Sequence, residues 1–388
     1  MRKIMRKVTD LVLGLLMLPM VSVMSLMGQT TAPPAQTFSA TVYLDYRYFL
    51  TNDGPSTLKP TNPATAYLNN QFVFRRAYFT YEHKFGDNLK FRFRLDADNT
   101  ANVTGVTLSG TPPTPSTSKD DKLRPFMKHL YLEYSNFLVP KMVLNVGMIE
   151  TLTFKPAEER WGLRSVAKTI MDGYKDITKK DIYSTSADIG VTLKYSIAKY
   201  FRLAGGYYNG AGYSKAENDQ YKEIELQAQV TPIAGFSVVG YYDYERRLPV
   251  TALPAEVKPV NSTYKIDAFF EMVKNLVVGA EWFVFQNDLY QTDGEKYDVG
   301  GYSVFGRYAV KPDKLQLFAR YDSYVPNSLD RDLDMSLILV GFDWAPYNAS
   351  WRLQPNVWFV DYTDGTRYNA SATKSSDVIF NLTFFLSF

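Results

Sequence analysis

Leu89-Lys90-Phe91-Arg92-Phe93-Arg94-Leu95-Asp96-Ala97-Asp98 alternates without a break. Leu89, Phe91, Phe93, Leu95 and Ala97 fall on one face of an extended chain; Lys90, Arg92, Arg94, Asp96 and Asp98 fall on the other. A helical period would mix the two sets, so the stretch is a strand with one apolar and one charged face. The same pattern, in segments of about ten residues, repeats on both sides of it. Sixteen such segments are read, at 38–50, 69–84, 88–100, 123–136, 141–151, 185–196, 200–209, 220–231, 235–247, 261–271, 275–287, 297–310, 314–325, 333–345, 350–362 and 374–388. Short and long connections alternate between them. That asymmetry predicts an all-β fold, a transmembrane antiparallel β-barrel of about 16 strands with short periplasmic turns and long outer loops. A soluble sandwich has no reason to keep it.

Composition agrees. The chain has 388 residues, 21% of them charged and 15% aromatic, with 29 Tyr and 25 Phe. Rings of that kind settle at both membrane interfaces as girdles. With no Cys and two His, neither a metal site nor a cofactor is predicted. A net charge of +3 excludes a nucleic-acid binder. Mean hydropathy of −0.23 excludes a helical membrane protein.

The two ends of the chain carry targeting signals. Arg2, Lys3, Arg6 and Lys7 precede an apolar run over residues 11–27, which reads as a secretory signal peptide over 1–28, cut between 25 and 32. A retained anchor helix is the alternative. A short linker follows over 29–37, then the barrel over 38–388. At the far end Phe380, Leu382, Phe384, Leu386 and Phe388 share one face, with Asn381 and Thr383 opposite. A terminal aromatic of this kind resembles the signal read by the outer-membrane barrel assembly machinery, which would make Phe388 its contact. The expected location is the outer membrane of a Gram-negative-type envelope, with membrane lipid around the barrel.

The longest loop, 152–184, contains a helical stretch. Pro156 suits a first helical turn, Glu158 and Glu159 suit the positive end, and Trp161, Val166 and Ile170 recur at helical spacing. The expectation is a constriction loop folded into the lumen, its acids facing a wall patch of Arg75, Arg76, Lys90, Arg92 and Arg94. Opposed charges across a narrow gap create a transverse field and set ion preference. Arg75 and Arg76 are neighbours, and neighbouring strand residues point to opposite faces. Both turn inward only if a bulge lies at the pair; otherwise one faces lipid at a cost of about 2–4 kcal/mol.

Several short stretches then follow in order: Phe74-Arg75-Arg76-Ala77-Tyr78, Tyr131-Leu132-Glu133-Tyr134, Val146-Gly147 ahead of Lys155-Pro156, Asp188-Ile189-Gly190-Val191, Tyr208-Asn209-Gly210 and Ala319-Arg320-Tyr321. Together they resemble the phosphate-selective porin O and P family. The resemblance implies a homotrimeric outer-membrane channel with an arginine-lined pore and loop lysines. The lumen inferred from alternation holds Arg92, Arg94, Lys194, Arg202, Lys265, Arg307, Arg320 and Arg352. It also holds Glu133, Glu223, Glu225, Asp243, Asp267, Glu281 and Asp322. That mixture argues for a mild anion preference rather than a dedicated phosphate filter.

The expected function is passive diffusion of small hydrophilic solutes or anions, without enzymatic chemistry. Two alternatives share the strand pattern: a plugged structural or adhesive barrel, and a barrel enzyme of the outer-membrane lipase type. The second needs a Ser–His pair on the outer side. His83 lies beside a predicted periplasmic turn, and His129 fits a lumen position.

Overall fold

A computed structural model describes residues 36–51, 70–98, 102–109, 114–120, 123–173, 185–217, 219–247, 259–287, 296–368, 370 and 372–388. The predicted signal peptide, most of the linker and residues 174–184 of the long loop lie outside the described residues.

Among the described residues eighteen strands follow in order. They are β1 (Gln36–Phe49), β2 (Asn70–Phe85), β3 (Leu89–Asp98), β4 (Asn102–Ser109), β5 (Thr114–Asp120), β6 (Arg124–Ser135), β7 (Met142–Glu150), β8 (Ala187–Ala198) and β9 (Phe201–Tyr208). Then come β10 (Glu223–Ile233), β11 (Phe236–Arg246), β12 (Val260–Phe270), β13 (Leu276–Asn287), β14 (Tyr297–Lys311), β15 (Leu315–Val325), β16 (Met335–Trp344), β17 (Trp351–Tyr362) and β18 (Ser376–Ser387). β4 and β5 form a separate hairpin within one long loop, where the sequence reading expected no strand. The other sixteen close into one antiparallel barrel, each paired with its neighbours. Closure joins β1 to β18, with Tyr43 opposite Phe385, and the Phe388 N–H donates to the Ala40 carbonyl at 3.0 Å. No helix of the described residues is long and apolar enough to cross a membrane. The strands are built to do so instead.

The alternation sorts as a membrane barrel requires. In β10, Glu223 and Glu225 are buried towards the lumen while Ile224 and Leu226 stand exposed on the outside. The register shifts at several places among the described residues, beside short turns and within strands, and two of the shifts bear on the lumen. Between β1 and β2, Tyr43 faces Arg76 but Leu44 faces Phe74, so Arg75 is an extra residue. A bulge of that kind turns two neighbours to one side. Arg75 reaches Asp45 at 2.6 Å and Arg76 reaches Asp98 at 3.1 Å, while Phe72 and Phe79 remain outside. The second bulge lies between β3 and β6, where Arg94 faces His129 and Leu95 faces Met127. Lys128 is the extra residue, and both it and His129 are buried.

One half of the interior is not polar. Phe283, Phe305, Phe318, Leu337, Leu339 and Trp358 point inward from consecutive strands and pack into a single apolar core. Its other side is the loop after β7. Residues of α1 (Lys155–Trp161) and α2 (Ile170–Gly173) supply Ala157, Trp161, Ile170 and Met171 to that core. Pro156 lies in the first turn of α1, and Gly162, at φ 63°, caps its end through the Glu158 carbonyl. Burial of that apolar loop face against an apolar wall is what draws the segment into the barrel.

Candidate functional site

The loop is fastened at both depths of the lumen. At its root, the Leu152 N–H donates to Glu225 at 2.8 Å and Gln227 donates to the Leu152 carbonyl at 2.6 Å. Lys265, itself paired with Asp267 at 2.8 Å and Glu281 at 3.3 Å, donates to the Thr153 carbonyl. Further along, Arg307 donates to the Arg160 carbonyl at 2.7 Å, Arg320 to the Lys168 carbonyl, and Arg75 to the carbonyls of Ser165 and Val166. Ser165 completes the set by donating to Gln354 at 2.7 Å. Arg160 reaches Glu271, in the short turn after β12, at 3.5 Å. The segment therefore spans most of the barrel's depth. Guanidinium groups suit this task because their fixed fork of donors satisfies carbonyls that a helix or turn leaves open.

These contacts assign several of the predicted lumen cations to the loop itself. Arg320 is buried between the Lys168 carbonyl and Asp322, with Nη2 at 2.5 Å from the carboxylate. Arg75 is shared between Asp45 and the loop carbonyls. Trp161 is fully buried, edge-on to Phe305 and Phe318, and donates its indole N–H to the Ala167 carbonyl at 2.7 Å. It faces the apolar core, not the open lumen.

One open space lies between the loop and the wall that carries β1–β3, β6 and β7. A cavity of about 290 Å³ is lined on the wall side by Tyr43, Tyr78, Arg94, Lys128, His129 and Glu150, and on the loop side by Lys155, Glu158, Glu159 and Arg164. The loop acids thus sit opposite Arg94 rather than opposite the whole predicted patch. They are also paired within the loop: Glu158 with Arg164, and Glu159 with Arg160 at 3.6 Å and Lys155 at 3.9 Å. Glu150 is held by Lys155 at 3.3 Å. Above them, Arg164 meets Asp172 at 2.9 Å. Burial alone would raise the Asp172 carboxyl, but Lys168, Arg164, Lys128 and Arg76 around it hold it well below the usual carboxylate range. Burial works against the Arg164 cation, yet Tyr78 and Asp172 beside it raise its pKa above the ordinary value.

The remaining predicted cations divide by partner. Lys90 pairs with Glu133 at 3.1 Å and Arg92 with Glu82 at 3.6 Å, both towards the short-turn end. Arg76 is held by Asp96 and Asp98. Arg352 pairs with Asp343 in a second cavity of about 440 Å³ that opens among the short turns beside Arg307, Lys311 and Lys314. Lys194 and Arg202 lie on β8 and β9 towards the same end. Arg94, like Lys194 and Arg202, differs from the paired cations. Its Nε donates to Thr80 at 2.8 Å and its guanidinium lies over the Tyr78 ring, with no carboxylate in ion-pair range among the described residues.

Lys128 and Gln227 are positions that sequence reasoning left without a role, and Glu225, which it placed on the lumen face, turns out to anchor the loop. For Lys128 the signal was present. Met127 and Leu130, both exposed to the outside, are three apart rather than two, the same irregularity that marks the Arg75-Arg76 pair.

A closed barrel of sixteen strands, with a charged gap between its wall and an inward loop, is the architecture of an outer-membrane channel. No protein-family model matches the chain, and no curated protein matches it in sequence. Solved structures with the same fold include the outer-membrane channel DcaP of Acinetobacter baumannii, at 13% identity and TM-score 0.58 over 93% of this chain and 99% of that one. The anion-selective porin from Comamonas acidovorans is similar at 11% identity and TM-score 0.58, covering 92% of this chain and 100% of that one. OmpT of Vibrio cholerae, also expressed in the outer membrane, is similar at 13% identity and TM-score 0.56, covering 93% and 99%. At these identities the likeness is one of fold.

Proposed function

We propose that the protein is an outer-membrane porin, a passive diffusion channel for small hydrophilic solutes and ions. The observation that carries this reading is the charged gap between the inward loop and the wall, open opposite the side on which the loop packs into the apolar core. Its acids are matched by bases, whereas Arg94 is not, which supports a mild anion preference. The short-turn end is then periplasmic, and Phe388, which ends the closing strand, is the contact for the assembly machinery. A homotrimer fits the resemblance to the phosphate-selective porin O and P family and the trimer form in which one fold neighbour was solved. Phosphate specificity is not required by the gap, which mixes both signs. Insertion of the refolded protein into a planar bilayer tests the reading: discrete conductance steps, and a reversal potential in a salt gradient on the anion side, are expected. A second reading, a plugged structural barrel, is favoured by the depth of the apolar packing. Silent bilayers with a correctly folded barrel would select it.

A further inference from the structure

The outer wall of the barrel is not evenly filled. Across β7 to β11 one outward row runs Met142, Tyr195, Leu203, Ala228 and Gly240, each opposite the next on the adjoining strand. The neighbouring outward row runs Leu193, Gly205, Leu226 and Tyr242. Gly205, Ala228 and Gly240 carry little or no side chain. A Cβ added at Gly240 would meet nothing within 4 Å, and one at Gly205 would make only ordinary contacts with the Glu225 carbonyl and Leu226. Around that floor Leu193, Leu203 and Leu226 stand exposed. The result is a groove of about 640 Å³, lined almost entirely by apolar side chains.

The groove runs obliquely up the wall. Met142 opens β7 at the short-turn end, whereas Ala228 and Gly240 lie near the middle of β10 and β11. Five strands spaced by about 4.8 Å make the row roughly 20 Å long, the reach of an extended acyl chain. At its low end stand two cations. Lys141 precedes Met142, and its carbonyl accepts the Ser196 N–H at 3.4 Å. Lys199 lies in the short turn between β8 and β9, over the Tyr200 ring at 5.5 Å. Both lysines are exposed, and among the described residues neither has a carboxylate in ion-pair range.

We infer that this groove docks one anionic phospholipid from the leaflet at the short-turn end: an acyl chain lies along Leu203, Ala228 and Gly240, and Lys141 and Lys199 hold the phosphate. Charge complementarity selects this occupant. Within a bilayer an apolar wall gains nothing from exchanging one apolar neighbour for another. A groove there discriminates through its shape and through the charges at its end. A second copy seated on it would bring its own apolar wall to the two ammonium groups. A phospholipid brings phosphate oxygens, which accept charge-assisted hydrogen bonds from them. The inference rests on the barrel's crossing the membrane and not on conduction through its lumen.

Native mass spectrometry of the full-length refolded protein tests it, after reconstitution into vesicles of phosphatidylglycerol mixed with phosphatidylcholine and extraction into detergent. Heat-modified gel migration confirms that each variant folds. The wild type is expected to retain a single phosphatidylglycerol per barrel in preference to phosphatidylcholine, whose choline cation offsets the phosphate. The double variant Lys141→Gln, Lys199→Gln changes only exposed positions at the short turns and is expected to retain several-fold less phosphatidylglycerol and to lose the preference. Gly240→Leu fills the floor with the charges intact and is expected to lower retention of both lipids; Ala228→Leu repeats that test on the neighbouring strand. Equal retention of the two lipids by the wild type overturns the inference. So does wild-type retention of phosphatidylglycerol in the double lysine variant or in both floor variants. Floor variants that dissociate an oligomer while keeping their lipid would also overturn it, and would assign the groove to a second copy.

Discussion

The indole of Trp161 meets the ring of Phe305 edge-on, 5.4 Å between centroids, and joins a loop residue to an inward residue of β14. Through that contact the loop becomes part of the barrel's core rather than a flap within its lumen. Its polar side can then be set against the opposite wall with a fixed spacing, which a loop anchored only by charges would not hold.

Replacing Trp161 by Ala removes the largest buried side chain of the loop. Core truncations of this size cost about 3–5 kcal/mol, and here the loss falls on the docking of the loop, since the strand ladder is untouched. The expected outcome is a barrel that still shows heat-modified migration, with the loop cut faster by added protease and the open-channel current noisier and larger. A protease pattern identical to wild type would show that the clamping arginines alone hold the segment.

Arg92 and Arg94 are equivalent in the alternation of β3 but not in their partners. Glu82 is 3.6 Å from Arg92, whereas Arg94 faces the gap with only Thr80 and Tyr78 beside it. Arg94→Glu alone should therefore produce most of the cation-ward shift in reversal potential, and Arg92→Glu a minor one. Equal shifts from the two would place the narrowest point nearer the short-turn end.

The strands were legible because a wall between lipid and lumen forces a period of two, and Leu89–Asp98 shows it without interruption. The Arg75-Arg76 bulge was legible too, since two adjacent cations cannot straddle such a wall cheaply. The apolar interior was not. A lumen was expected to be polar on every strand, yet Leu337-Ile338-Leu339-Val340 is a continuous apolar run, as expected of a strand buried on both faces. The roles of the cations depended on that core. Arg320 and Arg307 clamp the loop because Trp161 and Ile170 bring its carbonyls within reach, and no spacing in the sequence encodes that proximity. The hairpin of β4 and β5 was missed for a different reason: its Thr, Ser and Pro content reads as loop.

Acid should loosen the loop before it affects the barrel. Asp172 is held well below the ordinary carboxylate value by Lys168, Arg164, Lys128 and Arg76, against the pull of burial. A depressed folded-state pKa means that the ionised group stabilises the docked loop above about pH 4, and that this contribution is lost as pH falls further. Trp161 reports the docking, so its fluorescence in a protein whose other Trp residues are replaced by Phe should change as the pH drops below about 4. Asp172→Asn should flatten that transition. A transition unaltered in Asp172→Asn would assign it to other carboxylates.

Deleting the loop body, residues 156–172, is the most direct test of whether it constricts or supports. For a loop held in open water by its charges, deletion would simply widen the passage. Here Phe269, Phe283, Phe305, Phe318, Leu337 and Leu339 would lose their cover and face water inside the lumen. Each large apolar side chain so exposed forfeits on the order of 1.5–3 kcal/mol, and the guanidinium groups of Arg75, Arg307 and Arg320 would lose the carbonyls that they now serve. The barrel ladder itself, closed by β1 and β18, remains complete. The expected outcome is therefore twofold: a larger conductance in those molecules that fold, together with a lower refolding yield, a lower melting temperature and binding of a hydrophobic dye within the lumen. A deletion variant as stable as the wild type and blind to the dye would mean that the apolar wall closes on itself without the loop, and that Trp161 is a passenger rather than the anchor.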